Sequence, residues 1–386
     1  MATLNLPTAE GRLVPYSTRP PRAFPRRASG SFNRVAFAAA HVVADARAEH
    51  DPWLDAALDW DATLAYRRHL WGLGLGVAEA MDTAQRGMGL DWRTSLELIR
   101  RSVEAARDVP GALLFCGAGT DHLAPGASLD AVVAAYEKQI AAIEKAGGRI
   151  ILMASRALAA AARGAEDYVR VYERILSQLK EPAIIHWLGD MFDPALAGYW
   201  GARDLDAASE TALDVIARKA AKVDGIKISL LDKEREIAMR RRLPPGVRMY
   251  TGDDFNYPEL IAGDGKYASD ALLGIFDAIA PAASAALAAL ARGGDNEFHD
   301  ILAPTLPLSR HIFKAPTRFY KTGVVFMAYL NGHQRHFVMV GGQESARSIL
   351  HLAELFRLAD AAGLLADPEL ASRRMASVLS THGIDA

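Results

Sequence analysis

The most reactive group this chain offers is a lysine set among alternating small and β-branched residues, in the run Val223-Asp-Gly-Ile-Lys227-Ile-Ser229. If that run is a strand with one side on an enclosed axis, Gly225, Lys227 and Ser229 share the inner side while Ile226, Ile228 and Leu230 face outward. Removing an ammonium from water disfavours its charged form, and a neutral amine adds to a ketone or aldehyde to give an imine. A lysine at a strand end could equally reach solvent or an ion pair. His186, in Ile184-Ile-His186-Trp-Leu188, offers a group that titrates near neutrality and could pass protons. The alternative is a hydrogen-bonded histidine of the core.

Several carboxylates and imidazoles stand where β-rich runs end. His41 ends the first run and Glu79, Asp82 and Thr83 the second; Asp121 and His122 follow the third, Asp190 and Asp193 the fifth, and Asp253 and Asp254 the seventh. Side chains of this kind bind substrate hydroxyls. They could instead hold a divalent metal, since His and Asp/Glu ligands suit Zn, Mn or Mg, but no pair has the tight spacing of a metal-binding helix. No metal ligand is therefore assigned. Trp187, Tyr199, Trp200 and Tyr250 could stack on a sugar ring or serve as packing. Cys116, the single cysteine, has no cationic neighbour in sequence and reads as a small barrel-wall residue.

The elements that must position these groups alternate regularly. Short β-rich runs cover Arg34–Val43, Gly74–Met81, Ala112–Cys116, Arg149–Ala154, Ala183–Leu188, Gly225–Leu230, Val247–Thr251 and Ala271–Phe276. Between them, helical periodicity marks Ala62–Leu73, Arg93–Arg107, Ser128–Ala146, Ala165–Leu179, Ala207–Val223 and Asp232–Arg242, with Ser95 and Ser128 as expected helix caps. Strands alternating with crossover helices in this number predict an α/β fold, a (β/α)8 TIM barrel over residues 34–292. A doubly wound sheet would require a phosphate-binding glycine turn after its first strand, and Phe37-Ala-Ala-Ala-His41 has none. Past Phe276 the pattern is helical, at Ala280–Arg292, Glu297–Ile312, Thr317–Asn331, Glu344–Ala361 and Pro368–Leu379. This predicts a C-terminal helical subdomain over 293–386. Residues 1–33, with Arg19, Arg22, Arg26 and Arg27 among prolines, form an N-terminal extension. Arg240-Arg-Arg242 reads as a solvated helix end.

Composition removes several classes of function. Of 386 residues 51 % are apolar, enough for a large core, and the net charge of −2 leaves no extended basic face for nucleic acid. No run approaches the ~18 consecutive apolar residues of a membrane span, and the start lacks the apolar stretch of a signal peptide. A cytoplasmic protein is expected, with cysteine usage that suits a reducing compartment.

Gly225-Ile-Lys227-Ile-Ser229 followed by Tyr250-Thr-Gly252-Asp253-Asp254 resembles the sixth- and seventh-strand motifs of the dihydrodipicolinate synthase and N-acetylneuraminate lyase superfamily. Ala262-Gly-Asp-Gly265 and Pro316-Thr-Arg-Phe-Tyr-Lys321 are similar to its closing elements, so the resemblance runs from about Arg34 to Asn331. It implies a class I aldolase in which Lys227 forms the Schiff base, with no organic cofactor and commonly a homodimer or homotetramer. There are departures. His186 stands where the family has a proton-shuttling tyrosine, and Ala80-Met-Asp82-Thr83 replaces a Gly-Thr-Thr motif that cradles the carboxylate of pyruvate. Asp82 would repel that carboxylate. The expectation is a carbon–carbon lyase acting on a small carbonyl compound, a sugar-derived keto-acid or keto-sugar. Lys227 and His186 are catalytic, and His41, Glu79, Asp82, Thr83, Ser229, Asp253 and Asp254 bind substrate. The insertion 188–206 could form a lid or an oligomer contact. A metal-assisted sugar isomerase, epimerase or hydrolase on the same barrel is the alternative, and a sugar-acid sensor a third.

Overall fold

A computed structural model describes residues 2–24 and 32–384 of the protein. Arg26 and Arg27 of the expected extension lie outside the described residues. An antiparallel hairpin, β1 (Thr3–Pro7) and β2 (Leu13–Ser17), precedes the barrel. The barrel strands follow as β3 (Ala36–Ala39), β4 (Gly76–Glu79), β5 (Leu114–Ala118), β6 (Arg149–Leu152), β7 (Ala183–Leu188), β8 (Val223–Ser229), β9 (Arg248–Thr251) and β10 (Asp270–Leu273). All neighbours are parallel, and β10 closes on β3. The eight expected runs are thus the eight strands of a closed barrel.

Strand alternation decides what fills it. Phe37, Ala39, Ala78, Phe115, Ile151, Ile184, Tyr250 and Leu272 form an inner apolar cluster, while their chain neighbours pack against the helices. Two glycines make room for the largest inner rings: a Cβ on Gly76 would lie 2.6 Å from Phe37, and one on Gly225 2.6 Å from the ring of Tyr250. Tyr250 therefore belongs to the barrel floor, its hydroxyl donating to Asp224 at 2.6 Å. Trp187 and Trp200 are buried in the outer core, and Tyr199 joins its hydroxyl to that of Tyr172 at 2.9 Å. These four aromatics are packing groups, not a stacking platform for a sugar. Cys116 is a buried wall residue, as expected.

The outer helices begin where polar caps stop the strands' loops. Asp59, Asp91, Ser128, Asp204 and Asp232 each accept a hydrogen bond from the third residue after them. Ser95 is not a cap: Asp91 starts that helix four residues earlier, and Ser95 is buried inside it. Arg240 is likewise not on a solvated face. It is buried and donates to the Leu260 carbonyl and Ser269 hydroxyl, while Arg241 and Arg242 meet Asp264 and Glu210 outside.

Beyond the barrel, the expected helix Glu297–Ile312 is interrupted at Ala303–Thr305, where Pro304 removes a backbone donor. Helix Tyr320–Leu330 is buried along its whole length and forms the centre of the helical subdomain, surrounded by Leu306–Ile312, Ile349–Ala361 and Pro368–Thr381. The N-terminal hairpin is tied to this subdomain. Tyr16 donates to Asp360 at 2.7 Å, the Arg19 amide reaches the same carboxylate at 3.0 Å, and Arg357 donates to the Pro7 carbonyl at 3.0 Å. No helix among the described residues is long and apolar enough to cross a membrane.

Candidate active site

Lys227 lies in β8 level with His186 on β7 and Tyr250 on β9, and its side chain rises from the apolar floor toward the C-terminal rim. It is only 7 % exposed. Room for its stem depends on Gly252, the next inward position above Tyr250. A Cβ there would come 2.3 Å from the Ser229 hydroxyl, 2.6 Å from the Ile228 carbonyl and 2.7 Å from Lys227 Cε. Gly252→Ala should accordingly cost about 1–3 kcal/mol through overpacking and displace the amine, to be read as a lowered melting temperature together with weakened carbonyl-adduct formation.

Two carboxylates act on the amine. Burial lowers the Lys227 pKa, and Asp254 and Asp82 partly oppose the shift. Burial in turn raises the pKa of Asp254, against the pull of the Ile275 amide it accepts at 2.9 Å and of Lys227. Both shifts run toward the neutral forms, so an amine more readily deprotonated than an exposed lysine lies beside a carboxyl group more readily protonated than an exposed aspartate. His186 is 1 % exposed; its Nε2 is 3.2 Å from the Ser229 hydroxyl, and its Nδ1 has no hydrogen-bond partner. Asp82 Oδ2 stands 4.0 Å from that nitrogen. Burial, with Lys227 adding to it, pushes the His186 pKa well below its ordinary value, so the ring is a neutral donor-acceptor.

A roof over this mouth comes from far along the chain. Thr83, just after β4, shares a 2.8 Å hydrogen bond with the Tyr320 hydroxyl. The Tyr320 ring stacks on Phe313 at 4.4 Å, and Phe192, from the insertion after β7, abuts both. Phe192 is the residue by which the insertion joins this roof. Lys321, which sequence reasoning passed over, is 4 % exposed; its ammonium donates to the Arg318 carbonyl at 2.9 Å. Burial lowers its pKa to about 8 despite the nearby charge of Asp82. The only signal for these two residues was the run Pro316–Lys321, whose position over the rim no local pattern discloses.

Beside the roof a cavity of about 530 Å³ opens above β4 to β7. His186 and Asp82 form its inner end, Thr120 and Ser155 its side, and Arg156 and Asp193, an ion pair, its outer edge. The Thr120 and Ser155 hydroxyls are 2.5 Å apart. Lys227 is not on the cavity wall; its neighbour His186 is.

The expected substrate-binding residues separate into two groups. Asp82, Ser229 and Asp254 gather around Lys227 and His186, and Thr83, next to Asp82, holds the Tyr320 hydroxyl above them. His41, Glu79 and Asp253 do not. In β4 the inward positions are Gly76 and Ala78, so Glu79 points outward, where Arg67 grips both its oxygens at 2.8 and 2.9 Å and Ser102 donates at 2.6 Å. His41 Nδ1 is held by Asp277 at 2.8 Å, with the Tyr66 ring against it. Asp253 spends its carboxylate on the Phe255 and Asn256 amides and the Asn256 side chain, closing the turn before helix Tyr257–Ala262. Asp121 pairs with Arg86, His122 with Gln139, and Asp190 is exposed. Among the described residues, no three His, Cys, Asp or Glu side chains group so as to hold a metal ion.

Comparison with solved structures finds the same fold in proteins of the dihydrodipicolinate synthase family. The prophage protein YagE of E. coli K12, a member of the dihydrodipicolinic acid synthase family solved with pyruvate, is similar with a TM-score of 0.67 and 13 % identity, over 86 % of this chain and 99 % of its own. The 4-hydroxy-tetrahydrodipicolinate synthase of Methylacidiphilum fumariolicum SolV gives 0.64 and 14 % over 87 % and 99 %. Dihydrodipicolinate synthase from Aquifex aeolicus gives 0.64 and 11 % over 86 % and 99 %. No curated protein matches by sequence. The chain belongs to the family described as "Protein of unknown function (DUF993)", which it matches over residues 4–384.

Proposed function

We propose that the protein is a carbon–carbon lyase that works through an imine on Lys227. The observation that carries this reading is the buried amine itself, deprived of solvent, flanked by Asp254 and Asp82 and level with His186. The neutral amine adds to a substrate carbonyl, a proton from Asp254 leaves with the oxygen as water, and a protonated imine remains. A neighbouring base then takes the proton of the β-hydroxyl. The carbon–carbon bond breaks, its electron pair passes into the imine to give an enamine, and an aldehyde departs. Protonation of the enamine carbon and hydrolysis free the amine and the second product. The imine is the electron sink, so no organic cofactor is required.

The cavity supports a polyhydroxylated substrate. Asp82, Thr120 and Ser155 suit hydroxyl groups, and Arg156 at the outer edge suits a terminal acid. A keto-sugar, or a sugar-derived keto-acid whose carboxylate lies away from the keto carbon, fits these residues better than pyruvate, whose carboxylate beside the amine would face Asp82. The substrate reaches the amine past His186 and Asp82.

Borohydride reduction with pyruvate, a 2-keto-3-deoxy sugar acid or dihydroxyacetone present should leave an adduct on Lys227, detected by peptide mass spectrometry. Because only the neutral amine adds, trapping should rise with pH through the lowered pKa of Lys227 and level off before the pH at which an exposed lysine would. Absence of an adduct with all three compounds, or an adduct located on another lysine, would sink the reading.

A further inference from the structure

Away from the barrel mouth, a cleft of about 350 Å³ lies between the N-terminal hairpin and helix Ile349–Ala361. His311, Lys314, Ser348, His351, Glu354 and Arg357 line it. His351 is 4 % exposed, and neither of its ring nitrogens has a hydrogen-bond partner. A buried imidazole left wholly unpaired is costly, and such a group is ordinarily satisfied by something. Its ring stacks on that of His311 at 4.1 Å and 17°, and His311 Nε2 donates to the His351 carbonyl at 2.9 Å.

The charges around the pair are unbalanced. Lys314 and Arg357 line the cleft, and Arg347 lies behind it, fixed by the carbonyls of Lys314 and Pro316. Glu354, 3.4 Å from Arg357, is the one carboxylate on the wall. The cleft also meets the first turn of a 13-residue helix, where Ser348 accepts the His351 amide and the positive end of the helix dipole faces outward. Burial, followed by the charges of His311, Arg347 and Lys314, pushes the His351 pKa down to about 3. Burial lowers that of His311 as well. An anion placed here would neutralise Lys314 and Arg357 and offer oxygens to imidazoles that could then take up protons.

We propose that this cleft is a second binding site, for a phosphate group carried by a small phosphate ester or present as the free ion. Glu354 offsets part of the charge of Arg357, so a dianion is matched by Lys314 and Arg357 together with two rings that can take up protons, better than a single carboxylate would be. The site is also joined to the roof over Lys227. His311 and Lys314 bracket Phe313, which stacks on Tyr320, whose hydroxyl holds Thr83. A ligand that grips both residues fixes the position of Phe313.

The test is a titration of the full chain with inorganic phosphate at constant ionic strength, following the histidine Cε1–Hε1 resonances. His351 and His311 should move saturably, and the apparent pKa of His351 should rise by a unit or more. Lys314→Gln, at an exposed position whose loss leaves the fold intact, should weaken phosphate binding about tenfold. Glycerol 3-phosphate binding more tightly than the inorganic ion identifies an ester as the ligand, and equal affinity identifies the free ion. Resonances that do not saturate, malonate binding as tightly as phosphate, or unchanged affinity in Lys314→Gln would each overturn the proposal. None of these readouts depends on the chemistry at Lys227.

Discussion

Replacing Lys227 with methionine should leave the barrel folded while lowering the proposed carbon–carbon lyase activity by about four orders of magnitude or more, the scale of loss when a covalent nucleophile is removed. Methionine keeps the length of the stem that lies against Gly252, so the packing of the mouth is preserved. It also ends the cost of burying the amine. What it leaves behind is Asp254 without the interaction with Lys227 that lowers its pKa, so burial then acts on that carboxyl less opposed. Melting temperature should therefore stay within a few degrees of the parent at neutral pH, while borohydride trapping disappears. Lys227→Arg should be equally inactive, because a guanidinium does not deprotonate in the working range. The two variants separate chemistry from folding. An inactive Lys227→Met protein that melts normally points to the amine, whereas one that retains activity removes Lys227 from the mechanism.

The parts of this site that are legible in the sequence are those governed by strand parity. Lys227 and His186 occupy inward positions of strands whose β-branched neighbours mark the outward side, and the register of β7 with β8 brings them level. Parity also distinguishes Asp254 from Asp253, since Tyr250, Gly252 and Asp254 alternate on the inner side and Asp253 falls outside. Treating every carboxylate near a strand end as a rim residue overlooks this, which is why Asp253 and Glu79 were expected at the substrate. His41 shows a different limit. It lies past the last paired residue of β3, where the chain leaves the sheet and Asp277, from after β10, captures it. Tyr320 and Lys321 lay in a recognisable run, but their place over the mouth depends on how the helical subdomain folds back. Packing between elements far apart in the chain sets that placement, and no local periodicity encodes it. The hairpin at the N-terminus was missed for a similar reason: its anchors are Asp360 and Arg357, at the other end of the chain.

Glu79 is informative about the site in another way, because its partner is expected to be among the most destabilising positions to change. Arg67→Met should cost about 3–5 kcal/mol, since it strands a wholly buried carboxylate that had been gripped at both oxygens. Arg67 also donates to the carbonyls of His41 and Thr63, so the substitution loosens the ends of β3 and β4 together. A methionine at Glu79 in addition should recover part of the loss, because an apolar pair of similar volume carries no stranded charge. Recovery should be incomplete. The Ser102 hydroxyl and the Ala80 amide, which donate to Glu79 at 2.6 and 2.9 Å, would lose their acceptor, and the two carbonyls would lose a donor. Urea unfolding of the two single variants and the double variant gives the coupling directly. If Arg67→Met unfolds within about 1 kcal/mol of the parent, the pair is not the brace it looks like. The consequence for catalysis follows from chain order: Glu79 ends the strand that delivers Asp82 and Thr83 to the mouth, so a relaxed brace should shift those two before it disturbs Lys227, weakening substrate affinity more than imine formation.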